Sequence, residues 1–233
     1  MRPAVGAFAA CAVALLLGGC SEPPSVCAAE NRPASPPVEG TRLPVEIAPR
    51  TEPPGDLTGE QIDAALPPEE PRPSLMDKVM RGLMQDTVRM AGAIGDVRPG
   101  TCETVVPDRG EERAQRCTVT YEGLDVVWDV RFTRIDGGLW TTAEYQVKPV
   151  TGVLTARKVY QSAGWNYDEL RARRCDRMPE LIPVEGVGKP TRYQCQIRIH
   201  ECVDEKGWRF WWQNSSVSVD ENGNVDFVVR KPE

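Results

Sequence analysis

The 233-residue chain carries 34 acidic against 28 basic residues, a net charge of −6, with one histidine and eight cysteines. An acidic balance with no clustered basic face argues against nucleic acid as a partner. A lone histidine without a Cys-x-x-Cys pair argues against a metal centre, and no Gly-rich phosphate loop, Gly-x-Ser-x-Gly elbow or His-Glu-x-x-His run points to a cofactor or a catalytic constellation.

The chain opens with Met1-Arg2, a short positive end, and residues 5–17 are almost all Ala, Val, Leu, Phe and Gly. About a dozen apolar residues fall short of the roughly twenty a helix needs to cross about 30 Å of hydrocarbon. The segment therefore reads as an export leader rather than a permanent span. It ends in Leu17-Gly18-Gly19-Cys20, which resembles the lipobox of bacterial lipoproteins. In that family the thiol receives a diacylglyceryl group and the chain is cut just before the cysteine. The resemblance implies residues 1–19 as signal peptide, Cys20 as the lipid-attachment residue, membrane lipid as its partner, and an anchored position on the extracytoplasmic side of the cell membrane. Each buried CH₂ contributes about 0.8 kcal/mol and stable anchoring takes two chains, which a diacylglyceryl group supplies. The alternative is an ordinary secretory signal with Cys20 incidental.

Between residues 21 and 73 the composition changes, because thirteen of the 21 prolines fall there. The scattered apolar residues show no lasting period, so residues 20–73 are expected to form a disordered or polyproline-like linker that lifts a folded body off the membrane. One island, residues 57–66, has the composition of two helical turns, with Thr58 and Gln61 spaced as a capping box.

The body reads as α+β, in two tandem repeats spanning 74–149 and 150–233. Each consists of an N-terminal helix, or helix pair, packed on a three- or four-stranded antiparallel meander. The first helix follows from Leu75, Met76, Val79, Met80, Leu83, Met84, Val88 and Ala91 at helical spacing, with Ser74 as N-cap, Asp77 three residues on, and Pro73 and Gly95 bracketing it. Four methionines on that helix fit a core face better than a partner groove. In the first meander Cys117, Val119 and Tyr121 share one face of a strand, and Val126, Trp128, Val130 and Phe132 share one face of the next. In the second, Cys195, Ile197 and Ile199 share a face, as do Trp208, Phe210 and Trp212. A parity change between Trp212 and Val217 suggests a bulge near residues 214–216. Asp136-Gly137-Gly138 and Asn222-Gly223 are hairpin signals. Residues 153–164 fit either a helix or a strand, and residues 167–175 fit a second short helix.

Outside the membrane thiols tend to oxidise, and modules of this size often need such cross-links. The repeat pairs Cys102 with Cys117 and Cys175 with Cys195. Cys27 and Cys202 are left over, either bonded to each other, free, or bonded to another chain. Cys202 and His200 share a strand face, which raises a thiol-dependent enzyme as one reading; an outward histidine beside a structural cysteine is the other. Trp140 and Trp211 lie on the polar sides of their strands, where tryptophans among Thr, Gln and Arg suit a recognition surface.

The stretches from Cys102 to Cys117 with "TVTYEG", and from Cys175 to Cys195 with "QIRIHE", resemble small domains of unknown function in lipoproteins of high-GC Gram-positive bacteria. The twin helix-plus-meander plan with one such disulfide each is also similar in fold to the secreted β-lactamase inhibitor proteins. Together these features lead to the expectation of a membrane-anchored extracytoplasmic lipoprotein that acts by binding, with no cofactor and an envelope protein as partner. An inhibitor or regulator of an envelope enzyme is the alternative.

Overall fold

A computed structural model describes residues 41–54, 57–103, 113–136, 142–165, 172–203 and 207–229. The chain divides into two units, one of Met1–Pro36 with Glu201–Arg209 and one of Pro37–His200 with Phe210–Glu233. The second contains nearly all the elements below. They run β1 (Val45–Ile47), α1 (Gly59–Ala65), α2 (Leu75–Ala91), β2 (Val97–Cys102), β3 (Arg113–Tyr121), β4 (Leu124–Asp136) and β5 (Thr142–Pro149). There follow β6 (Gly152–Thr155), α3 (Ala156–Trp165), β7 (Arg173–Cys175), β8 (Leu181–Val184), β9 (Gln194–Val203), β10 (Gly207–Val219) and β11 (Val225–Val229). The architecture is α+β, with antiparallel sheets in the orders β2-β3-β4-β5, β1-β7-β9-β10-β11 and β6-β8.

Helix α2 starts where the Ser74 hydroxyl accepts from the Asp77 N–H and the Asp77 carboxylate accepts from the Ser74 N–H. Those bonds hold the Asp77 carboxyl below its ordinary range, first through the Ser74 side chain and then through its backbone. The helix buries Val79, Leu83, Met84, Val88 and Ala91, and also Thr87 and Met90, which the apolar spacing did not single out. Opposite it, Val126, Trp128, Val130 and Phe132 of β4 are all buried, as alternation requires. Burying an indole N–H without a partner is costly; Trp128 Nε1 donates to Thr87 Oγ1 at 3.1 Å, and that hydroxyl donates to the Leu83 carbonyl at 2.7 Å. Thr87 is therefore a buried polar residue with its bonding complete.

The helix stops earlier than Gly95. Gly92 adopts a left-handed conformation (φ 70°) as C-cap, and a side chain there would run into Lys158. The Lys158 ammonium donates to the carbonyls of Arg89 (2.8 Å), Met90 (3.0 Å) and Gly223 (3.2 Å). One cation thus satisfies carbonyls at the negative end of α2 and fastens the β10–β11 turn to it. Thr155 completes the junction, since its hydroxyl donates to the Ala91 carbonyl and accepts from the Lys158 N–H at the start of α3.

Three expectations are corrected. The linker drawn over residues 20–73 includes ordered structure from residue 41. β1 pairs with β7, and Gln196 fixes the approach to it by accepting from Leu43 N–H and donating to the Thr41 carbonyl, both at 2.9 Å. Arg174 adds bonds to the Leu43 carbonyl and Glu46. Gly164 lets the segment lie close, because an added Cβ would stand 2.8 Å from the Ala48 carbonyl oxygen. Within the same span, α1 forms with the Thr58–Gln61 capping box and buries Ile62 completely. The second correction concerns residues 167–175: of these, Arg173 to Cys175 form strand β7, because pairing on both sides overrides their helical propensity. Third, residues 153–164 contain both alternatives, β6 through Thr155 and then α3.

From Ser215 onward β10 is buried on both faces, so the parity change coincides with its passage into the core. The hairpin turn at Asn222-Gly223 is present, with Gly223 at φ 78° and the Asp220 carboxylate accepting from the Asn222 and Asn224 N–H groups. The Asp136-Gly137-Gly138 turn lies largely outside the described residues.

Replacing Lys158 with Met should lower unfolding free energy by about 1–3 kcal/mol, because charge-assisted bonds to carbonyls at a helix end are lost. Urea denaturation with an unchanged slope checks this. Tyr121, whose hydroxyl donates to the Ala93 carbonyl, has its pKa pushed up to about 12 by burial and then by Glu122 and Glu180. A phenol held protonated in the fold leaves stability unaffected below the unfolded value near 10 and removes it as pH rises between about 10 and 12. Denaturation midpoints across that range should fall more steeply for the wild type than for Tyr121→Phe.

Candidate recognition surface

The two cystines set the frame for any surface on this body. Cys102 on β2 is the register partner of Cys117 on β3, and Cys175 on β7 is the register partner of Cys195 on β9. Both pairs are bonded, across sequence separations of 15 and 20. Each cross-link joins a leading strand to the long strand beside it. The chain between Cys102 and Cys117 falls mostly outside the described residues, whereas that between Cys175 and Cys195 is described throughout.

The latter segment is held from several sides. The Tyr160 hydroxyl from α3 donates to the Asp176 carbonyl and accepts from Met178 N–H, and the Asp176 carboxylate accepts from Gln194 N–H at 2.8 Å. Farther along, Gly188 N–H donates to the Val219 carbonyl and Thr191 N–H to the Val217 carbonyl, both at 2.7 Å. Gly188 makes this possible at φ 74°, a left-handed conformation that costs other residues strain.

Against that fixed backbone lies a cavity of about 390 Å³, lined by Glu185, Lys189, Thr191, Arg192 and Tyr193 among others. The Arg192 guanidinium donates to the Tyr193 hydroxyl at 2.7 Å, and its central carbon stands 4.9 Å from the centroid of that ring. Lys189 and Arg192 are both exposed at the rim. The pocket can offer two positive heads and an aromatic edge to an acidic or planar group. Its lining holds one carboxylate, Glu185, and neither cysteine nor histidine. Sequence reasoning classed this stretch only as a polar loop with Pro and Gly. The available signal was a pair of cations, Lys189 and Arg192, flanking Pro190 next to a tyrosine.

The residues singled out from sequence fare unevenly. Trp211 is 38% exposed on β10, while the half-buried Trp212 beside it has its indole Nε1 buried with no hydrogen-bond partner among the described residues. Trp140 lies outside the described residues. Cys202 is disulfide-bonded, and a sulfur so engaged is no thiolate nucleophile for His200 to activate. Cys20 and Cys27 lie outside the described residues. Among the described residues no group of three or more His, Cys, Asp or Glu side chains is placed to hold a metal ion, and no helix is long and apolar enough to cross a membrane. The cystines indicate an extracytoplasmic protein.

Comparison with known protein families, curated proteins and solved structures finds no match for this chain.

Removing the Cys175–Cys195 link by the double change Cys175→Ser with Cys195→Ser should cost about 3 kcal/mol in the chain-entropy treatment. The Gly188 and Thr191 amides should then exchange with deuterium faster. Unaltered exchange would mean that the bonds to β10 alone hold the pocket wall.

Proposed function

We propose that this chain is a lipoprotein anchored through Cys20 to the extracytoplasmic face of the cell membrane, acting there by binding an envelope protein rather than by catalysis. The observation that carries the reading is the combination of the Leu17-Gly18-Gly19-Cys20 run with a body cross-linked by two cystines. A lipobox read against an oxidised body fits export, since cytosolic thiols are kept reduced.

The body is best understood as a doubled unit. In each half a helix precedes a meander, and the strand orders β2-β3-β4-β5 and β7-β9-β10-β11 correspond. The cystine joins the first two strands of each set at a register pair. The second half departs by accepting β1 on its outer edge and by inserting β8, which pairs with β6.

Two features that face solvent support binding, Trp211 and the Lys189–Arg192 pocket, whose groups suit recognition. An inhibitor or regulator of an envelope enzyme is one form that binding takes. The thiol-dependent enzyme reading loses its support with the disulfide at Cys202.

Feeding cells an alkyne-bearing fatty acid should label the parent protein and leave a Cys20→Ser variant unlabelled. The variant should also move from the membrane fraction to the soluble one. An unlabelled parent, or a labelled variant, would refute the anchor.

A further inference from the structure

Four of the eight cysteines are consumed by Cys102–Cys117 and Cys175–Cys195, and Cys202 is disulfide-bonded as well. Within the chain its partner must be Cys11, Cys20 or Cys27. The choice among them rests on the anchoring reading above. Export removes Cys11 with the leader, and acylation turns the Cys20 sulfur into a thioether that can no longer form a disulfide. One thiol remains.

We infer that Cys27 and Cys202 form a third cystine, which ties the end of β9 to the root of the anchor. The two thiols give up two electrons and two protons to the disulfide of an envelope thiol oxidant, which leaves as a dithiol.

The bond changes what carries the body. Without it, the first attachment after Cys20 among the described residues is the segment at Thr41 and Leu43, fastened to Gln196. About 21 intervening residues reach about 65 Å at polyproline II extension. With it, the path from lipid to body runs through the roughly seven residues after Cys20, which span at most about 25 Å. The end of β9 is then held near the headgroups. Loop-closure entropy grows slowly with length, so even a link between positions this far apart is compatible with a stabilising role.

The test uses the full-length protein in the membranes of cells that export it. Thiols are first alkylated, the protein is digested without reductant, and linked peptides are assigned by tandem mass spectrometry. In a second arm, a site for a sequence-specific protease is inserted after Ser35. The proposal predicts a peptide joining Cys27 to Cys202. It also predicts that the cut protein stays in the membrane fraction until reductant is added, whereas a cut Cys27→Ser variant is released at once. Release of the cut parent without reductant overturns it, as does an alkylated Cys202 or its linkage to a second chain; a lipid label still on Cys20 then leaves the anchor standing. A Cys20–Cys202 peptide overturns both readings. A Cys27–Cys202 peptide from protein bearing no lipid upholds the pairing and refutes the anchor.

Discussion

Each of the two larger sheets depends on a covalent bond between its neighbouring strands. β2 and β7 are short, six and three residues, and neither carries enough apolar surface to hold its place by burial alone. Bonding Cys102 to Cys117 and Cys175 to Cys195 at register pairs removes the chance of slippage, in which a shift of one residue would turn every side chain to the wrong face. Each link also restricts the unfolded chain, by about 3 kcal/mol in the entropic treatment. Such bonds persist only in an oxidising compartment, so the same atoms that set the register also indicate where the protein works.

Packing does the remaining work around α2, whose apolar stripe covers β3 and β4 and whose C-terminal end is closed by Lys158. The lysine belongs to α3, and its third acceptor lies in the β10–β11 turn. A single ammonium therefore couples the first meander's helix to elements that follow it by more than sixty positions. Gly152 serves the same junction, since an added Cβ there would stand 2.8 Å from the Met90 sulfur. The polar members of this region, Thr87, Thr155 and Lys158, all have hydrogen-bond partners, which is the condition for tolerating them where water is largely excluded.

What was legible in the sequence was whatever repeats at short range. The alternation at Val126, Trp128, Val130 and Phe132 identified the buried face of β4, and the spacing from Val79 to Ala91 identified the stripe of α2. The parallel placement of cysteines in the two stretches, each second one opening an alternating strand, identified both cystines. Illegible were elements too short to show a period or dictated by distant partners. β1 has three residues and exists because Gln196 and Arg174 catch the chain beside it. Arg173 to Cys175 carry helical propensity, yet β1 and β9 claim their backbone groups. The pocket wall behind Lys189 and Arg192 is set by bonds to Val217 and Val219, which no local pattern announces. Trp211 was identified as outward-facing by strand parity alone, and it is exposed.

A fold held by these bonds requires a chain that leaves the cytosol before its sulfurs settle. The decisive experiment is to trap cysteines in living cells with a membrane-permeant alkylating reagent and weigh the intact protein. Cys102, Cys117, Cys175 and Cys195 should take up no reagent, on a protein from which residues 1–19 have been removed. Recovery of the uncut chain with those four sulfurs alkylated would refute both the export and the cross-linked fold.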